Sequence, residues 1–371
     1  MSFKRFDTVL LMACGLAGLF CSSAVADSPA PGYEVFGRIA PSNLPPGGTG
    51  MLFLYMYNIG GAADSEGPTV TDVLPAGVTA TGGCPVTTIA GRSVVTCTNA
   101  PVGTSGGGVP ALLEIPISVG SEVSNDPQPT DEVTVSGGGA STSTRSSFPV
   151  KFSSEQTGLG FSNFDSWFGN ADGTLDMQAG SHPYDLTVAF SLNSNFNGPV
   201  YSIPTGGEAH YVTVNLPPGI VGDPTAIPQC TREQFDMEDC PAGSWIGEDT
   251  ATIAGVILFQ RQVYNMVPPA GVAAQFAFNF GGVSTLLDAQ VRSGGNNGIS
   301  EHAEVPTRKI SFNSATFWGI PAEHNGSGLE RVPFLTLPTS CEKPLEFTAE
   351  IIGTWQNESA RAPRAHFLTH N

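Results

Sequence analysis

A nine-residue segment occurs twice in the sequence, as VTDVLPAGV from Val70 to Val78 and as VTVNLPPGI from Val212 to Ile220. Apolar and polar residues alternate in each copy, as they do in a strand with one buried face, and each copy reaches a Leu-Pro-x-Gly sequence. Proline cannot donate a hydrogen bond to a strand ladder, and glycine permits a tight turn. The repeat therefore predicts two related β-sandwich units in one chain.

The composition favours strands and turns over helices. The 371 residues include 45 glycines and 30 prolines, and 40% of the chain is hydrophobic, which is enough to build cores. The formal net charge is −18, and a surface of that sign repels nucleic acid and anionic lipid because it offers their phosphates no basic patch. We therefore expect no nucleic-acid partner, and we interpret the acidic surface as a solubility feature, with attraction of divalent cations as the alternative.

The N-terminus has the pattern of a secretory signal. Lys4 and Arg5 precede an apolar run from Val9 to Phe20, and Ala24-Val25-Ala26 forms a small-x-small cleavage site, which predicts a removed signal peptide over residues 1–26. Lipidation at Cys14 is the competing interpretation, although the apolar run before it is short. No later stretch is long and apolar enough for a transmembrane helix. We therefore expect a secreted or cell-surface protein without a transmembrane segment in the mature chain.

Five cysteines follow the signal, and their spacing favours disulfides. Cys84 and Cys97 are the only pair in their region, so we predict a bond that closes a short loop. Cys230 and Cys240 are the near pair in the second half, but either one could instead bond Cys341. A zinc site is the alternative, and it is disfavoured because the sequence has no Cys-x-x-Cys motif.

Strand-like segments separated by turn clusters fill the first part of the mature chain. They are rich in β-branched and aromatic residues and cover residues 33–40, 50–59, 69–74, 92–98, 111–119, 132–136 and 148–152. Seven short strands in so short a stretch are typical of one immunoglobulin-like β-sandwich. We therefore predict an all-β chain with such a sandwich over residues 27–146 and a linker over 147–160. A larger β-sandwich region over 161–371 follows, with two smaller subdomains as the alternative there.

The first unit also resembles a known family. Its motifs run, in order, Tyr55–Gly60, Val70–Val78, Cys84, Val95–Thr98, Ile115–Val119 and Val133–Ser136. This order resembles the immunoglobulin-like repeat of unknown function that is widespread, often in tandem, on bacterial surface and secreted proteins. The resemblance covers roughly residues 33–140. It implies a spacer or an adhesin-like stalk and carries no catalytic residues.

The second region resembles large, uncharacterised exported bacterial β-sandwich proteins. The shared segments are Ala179–Tyr184, Leu216–Gly219, Val267–Phe276 and Pro338–Cys341. The resemblance transfers no function, because none is established for those proteins. They tend to be longer, so we expect the C-terminal end of this chain to be truncated relative to them.

The segment from Asn170 to Asp176 is the best candidate for a metal loop. Asn170, Asp172 and Asp176 place oxygen side chains around Gly173, and such oxygens can wrap calcium. The segment lacks the glutamate that an EF-hand needs as its bidentate ligand. Because Asp-Gly is also a common turn sequence, a plain turn is the favoured interpretation and calcium is the alternative.

Aromatic residues are crowded between Phe161 and Phe168. Phe164, Trp167 and Phe168 are candidates for a platform on which sugars stack. Rings of this size also fill cores and the contacts between units. We expect the packing role, with the ligand platform as the alternative.

The sequence offers no catalytic motif. It contains no His-Glu-x-x-His pair, no Gly-x-Ser-x-Gly elbow and no phosphate-binding loop, although glycosidase carboxylates carry no local signature. We therefore expect a non-enzymatic structural or adhesion-type protein, with a cell-surface protein or polysaccharide as its partner. The alternative is a glycan-binding module, or a carbohydrate-active enzyme, built on the larger sandwich.

Overall fold

A computed structural model describes residues 28–196, 202–253, 256–280, 282–293, 296–340, 344–353 and 357–361. The chain is all-β, as predicted. Across these ranges no helix is long and apolar enough to cross a membrane. The predicted signal peptide, with Cys14, and the third cysteine of the second half, Cys341, lie outside the described residues.

The first unit is a β-sandwich of two antiparallel sheets. One sheet has the strand order β1-β3-β8-β5 and the other β10-β9-β4-β7-β6, while β2 pairs in parallel with β11. The strands are β1 (Tyr33–Ala40), β2 (Asn43–Leu44), β3 (Thr49–Asn58), β4 (Pro68–Val73), β5 (Val78–Ala80), β6 (Val86–Ile89), β7 (Arg92–Cys97), β8 (Ala111–Val119), β9 (Thr130–Gly137), β10 (Thr144–Pro149) and β11 (Lys151–Phe152).

The core of this unit lies between the two sheets and extends past the boundary expected at residue 146. Phe148, Val150 and Phe152 pack into the same core as Leu52 and Val95, so β10 and β11 belong to the sandwich rather than to a linker. The predicted disulfide between Cys84 and Cys97 is confirmed, and their Cα atoms lie 5.2 Å apart.

The second unit is built on one eleven-stranded sheet with the order β12-β13-β23-β18-β19-β20-β21-β22-β16-β25-β26, and its neighbouring strands run antiparallel. The sheet curls until β12 and β26 approach each other, and it encloses a single large core. Its strands are β12 (Phe161–Gly169), β13 (Asp185–Leu192), β16 (Ala209–Asn215), β18 (Trp245–Ile253), β19 (Val256–Met266), β20 (Ala274–Phe280), β21 (Val283–Val291), β22 (Ile299–Glu304), β23 (Ile310–Trp318), β25 (Thr348–Gly353) and β26 (Asn357–Arg361).

Smaller elements complete the second unit. Two short ladders pair β14 (Ser194–Phe196) with β15 (Ser202–Pro204) and β17 (Val221–Gly222) with β24 (Leu335–Thr336), and the helical elements are α1 (Arg232–Asp236) and two 3-10 turns (Ala242–Ser244 and Pro321–Glu323). Cys230 and Cys240, the near pair in the second half of the sequence, form a disulfide that closes the loop carrying α1.

The two copies of the repeated segment adopt the same local structure. In each copy a strand, β4 or β16, is followed directly by a buried leucine, Leu74 or Leu216. A turn follows in which the last residue donates its amide to the proline carbonyl, at 3.0 Å in the first copy and 3.5 Å in the second. The glycines need their conformational freedom here, since Gly77 and Gly219 have φ angles of 80° and 94°. The repeat therefore marks one strand-and-turn unit in each sandwich.

Candidate functional site

The three aromatic residues considered as a sugar platform are buried. Phe164 and Phe168 lie in the core of the second unit, at 2% and 1% exposure. Trp167 is fully buried at the contact between the two units. A stacking platform needs an exposed ring face, so these rings serve packing, which is the interpretation that the sequence favoured.

The candidate metal loop, for which the sequence favours a plain turn, is a hydrogen-bonded turn between β12 and β13. The Asp172 carboxylate accepts from the backbone amide and the hydroxyl of Thr174, at 2.9 and 2.6 Å, and Asn170 donates to the same hydroxyl at 3.2 Å. The Asp176 carboxylate accepts from a backbone amide and from the Ser181 hydroxyl, at 3.0 and 2.7 Å. Within the described ranges, no three His, Cys, Asp or Glu side chains converge as a metal site requires. These oxygens shape the turn, and calcium binding stays the untested alternative.

The two units meet across a buried aromatic junction. The face of β1 and β3 that points away from the first core packs on β12, β13 and β23 of the second unit. Tyr55 stacks on Phe312 with ring centroids 3.6 Å apart, and Tyr57 meets Trp167 edge-on at 4.9 Å. All four rings are fully buried, so both faces of β1 and β3 lie inside the protein. We call this contact the junction.

One arginine sits inside the junction. Arg38 is 3% exposed, and its guanidinium lies 4.1 Å from the centroid of the Phe53 ring. Its Nε donates to the Tyr55 hydroxyl at 3.0 Å, and that hydroxyl lies 3.4 Å from the hydroxyl of Thr252 on β18. A buried cation needs such partners, because the aromatic faces and oxygens replace lost water. The contacts tie a first-unit side chain to the wall of the second unit.

A glycine loop of the first unit closes one end of the junction. Residues 104–108 lie against β18 and β23. The Thr316 hydroxyl donates to the Gly107 carbonyl at 3.1 Å, and the Thr250 hydroxyl donates to the Gly108 carbonyl at 3.5 Å. The backbone approaches closely because these residues have no side chains.

The titratable groups beneath this loop are held in their uncharged forms. Burial raises the pKa of Asp185 to about 8, although the Gly169 amide partly offsets the shift. Burial lowers the pKa of His324 to about 4, and its ring stacks on Trp318 with centroids 4.6 Å apart. Its Nε2 lies 3.2 Å from the Tyr184 carbonyl oxygen, which only accepts. Both groups are therefore mainly neutral at neutral pH, as an interior of low polarity requires.

Replacing Gly107 with alanine should loosen the junction. A Cβ atom there would stand 2.7 Å from Asp185 Oδ2, and the residue has a φ of 70°. Gly47 is a matched control, because its φ is 75° but a Cβ atom added there would have no neighbouring atom within 4 Å. We expect Gly107→Ala to lower the free energy of unfolding by about 1–3 kcal/mol more than Gly47→Ala does. Urea unfolding measures both, and equal losses would contradict the role of the loop.

The interior of the second unit contains a polar group that sequence reasoning missed. Glu301 on β22 lines two adjoining cavities of about 70 and 130 Å³, which are otherwise mainly apolar. Asp249 on β18 borders the smaller one. Strand alternation is the sequence signal for Glu301, since it shares the inward face of β22 with Ile299 and Ala303.

No protein-family model matches the chain, and no curated protein matches it either.

Proposed function

We propose that the protein is an exported, non-enzymatic structural or adhesion-type protein of the bacterial surface. The observation that carries the proposal is the junction, where Tyr55, Phe312, Tyr57 and Trp167 are fully buried. A fully buried, close-packed contact resists relative motion of the units, whereas flexibly linked domains share small polar contacts. A rigid body of this kind suits a spacer that holds a binding surface at a fixed distance and orientation.

Three further observations support the same proposal. The first unit resembles the immunoglobulin-like repeat of bacterial surface and secreted proteins over residues 33–140. Two disulfides, Cys84–Cys97 and Cys230–Cys240, suit an oxidising compartment. The N-terminal sequence has the pattern of a secretory signal. The glycan-binding alternative has no comparable support, because Phe164, Trp167 and Phe168 fill cores.

The proposal is tested in the source bacterium by deletion and complementation. Protease treatment of intact cells should release an epitope-tagged chain, and deletion of the gene should reduce adherence or aggregation of the cells. Wild-type protein should restore that behaviour, and Gly107→Ala, with its loosened junction, should restore less of it than Gly47→Ala. Recovery of the chain only in the cytoplasmic fraction would overturn the proposal.

A second arm separates the proposal from the glycan-binding alternative. The purified chain is incubated with a panel of immobilised polysaccharides, with and without calcium, and the supernatants are analysed for released sugars. A structural or adhesive protein releases none. Catalytic release of sugar from any polysaccharide would replace the proposal with an enzymatic function. Calcium-dependent binding of the chain to a polysaccharide would support a metal site at Asn170, Asp172 and Asp176.

A further inference from the structure

The second unit encloses two adjoining cavities within its curled sheet. The smaller, of about 70 Å³, is lined by aromatic rings that include Phe190, Phe278 and Phe280. The larger, of about 130 Å³, is lined by Phe276 and Phe334 among other apolar residues. Close-packed protein interiors seldom leave voids larger than a water molecule. We call the pair the interior cavities.

Acidic groups, and no basic ones, face these cavities. Glu301 lines both of them, and within the described part of the chain its carboxyl has no hydrogen bond or ion pair. Asp249 borders the smaller cavity, and both of its oxygens accept from the Asn313 amide, at 2.8 and 3.0 Å. No lysine, arginine or histidine appears among the described lining residues. The interior therefore offers acceptors without a cation to pair with them.

We propose that the interior cavities bind an organic amine whose body is apolar, with its ammonium group held by Glu301. An ammonium group carries three donors and no acceptor, so it matches a carboxylate that lacks a donor. A buried charge requires a partner, and the ammonium supplies the charge that the lining lacks. The phenylalanine rings contribute apolar contact and favourable faces for a cation.

The burial of the two carboxyls is consistent with a cation-binding site. Burial raises the pKa of Glu301 to about 7 and that of Asp249 to about 8, and for Asp249 the Asn313 hydrogen bond partly opposes the shift. A bound ammonium favours the ionised carboxylate and would lower these pKa values again. Binding near neutral pH should therefore release protons, whereas binding of a neutral molecule of the same shape should release none.

The dimensions limit the ligand to a small one. A cavity of roughly 150 Å³ in a protein core accommodates benzene. The larger cavity, of about 130 Å³, therefore suits one ring or a short alkyl chain, with the ammonium directed at Glu301, which lines both cavities. Glu304 and Pro306 are the exposed residues in the lining of the smaller cavity, so they mark its entrance.

The test compares 2-phenylethylamine with 2-phenylethanol, which differ only in the polar group. Titration calorimetry with the purified chain should give a dissociation constant for the amine at least about tenfold lower than for the alcohol, since a charge-assisted hydrogen bond exceeds a neutral one. Glu301→Gln keeps the shape and removes the charge, so it should abolish this preference. Glu350→Gln is the matched control, because that carboxyl is exposed on β25 of the same sheet.

Proton release keeps the test decisive if Glu301→Gln fails to fold. Amine binding to the wild-type chain near pH 7 is repeated in two buffers of different ionisation enthalpy, and the heats should differ for the amine alone. The proposal is overturned if the amine binds no more tightly than the alcohol, if it does not bind at millimolar concentration, or if folded Glu301→Gln retains the preference. Loss of adherence in the deletion strain is a separate result and leaves this test unaffected.

Discussion

Phe312→Ala should lower the free energy of unfolding by about 3–5 kcal/mol, because it removes a fully buried aromatic side chain. The ring stacks on Tyr55 at 3.6 Å and meets Phe36 at 5.5 Å, so the first unit loses its aromatic contacts with β23. Such aromatic pairs contribute beyond the area that they bury. We therefore expect the junction to open before either sandwich core unfolds.

Two optical probes distinguish the opening of the junction from general destabilisation. Trp167, Trp245 and Trp318 lie on strands of the second unit, and the fourth tryptophan, at position 355, follows β25 in the sequence, whereas strands of both units contribute to far-UV circular dichroism. The two urea transitions should coincide in the wild type and separate in Phe312→Ala. Tyr211→Ala is the control, because its ring is 46% exposed on β16 and its removal should cost within about 0.5 kcal/mol. Coincident transitions in Phe312→Ala would contradict an energetic role of the junction in holding the units together.

Local features of the fold were predictable from the sequence because they depend on neighbouring residues. Alternation followed by Leu-Pro-x-Gly identified the strand and turn at Val70–Val78 and again at Val212–Ile220. Short spacing identified the disulfide between Cys84 and Cys97. In each case the residues that decide the structure lie within a few positions of one another, so no tertiary information was needed.

The junction was not predictable, because alternation fails for strands that are buried on both faces. All eight residues of β13 are buried, including Thr187, and the Thr316 hydroxyl of β23 lies 2.7 Å from that of Thr187 inside the protein. A polar residue in an alternating strand is ordinarily assigned to solvent. The position of Trp167 was not predictable either, since the sequence alone does not distinguish a ring packed between two units from an exposed ring that binds a ligand.

The burial of acidic residues was likewise not predictable, because a carboxylate in a strand is ordinarily assigned to the solvent-facing side. Asp72 stands in the first copy of the repeat where Val214 stands in the second, and both point into a core. The repeat therefore contained the sign that an inward position had become acidic. The repeat does not show which residue lies beside Asp72 in the fold. That residue is Asp131 on β9, which is fully buried as well.

The paired carboxyls in the first core should make the stability of the protein decrease as pH rises. Burial, first of all, raises the pKa of Asp72 from 3.8 to about 7, and burial together with the Asp72 charge raises that of Asp131 well above its usual value. The folded state therefore binds protons that the unfolded state has released, between about pH 4 and pH 7. The stabilisation is complete below the unfolded pKa and is lost as pH rises through the folded value, by about 1.4 kcal/mol per pH unit for each group.

Other buried groups add to this dependence or oppose it. Asp185, Asp249 and Glu301, with pKa values raised to about 8, 8 and 7, act in the same direction as Asp72. His324 acts in the opposite direction, because its pKa is lowered to about 4 and the unfolded chain binds its proton first on acidification. Since one histidine opposes several carboxyls, the net decrease in stability should already be clear between about pH 5 and pH 7.

Asp72→Asn removes the ionisation of Asp72 and its charge beside Asp131, while the groups outside the pair are unchanged and cancel in the comparison with the wild type. The amide cannot ionise, so between about pH 5 and pH 7 the variant should gain about 2–3 kcal/mol of unfolding free energy relative to the wild type. Asp239→Asn, at an exposed position, should run parallel to the wild type. Urea unfolding at five pH values measures all three chains. Parallel profiles for Asp72→Asn and the wild type would mean that the buried pair does not take up its protons on folding.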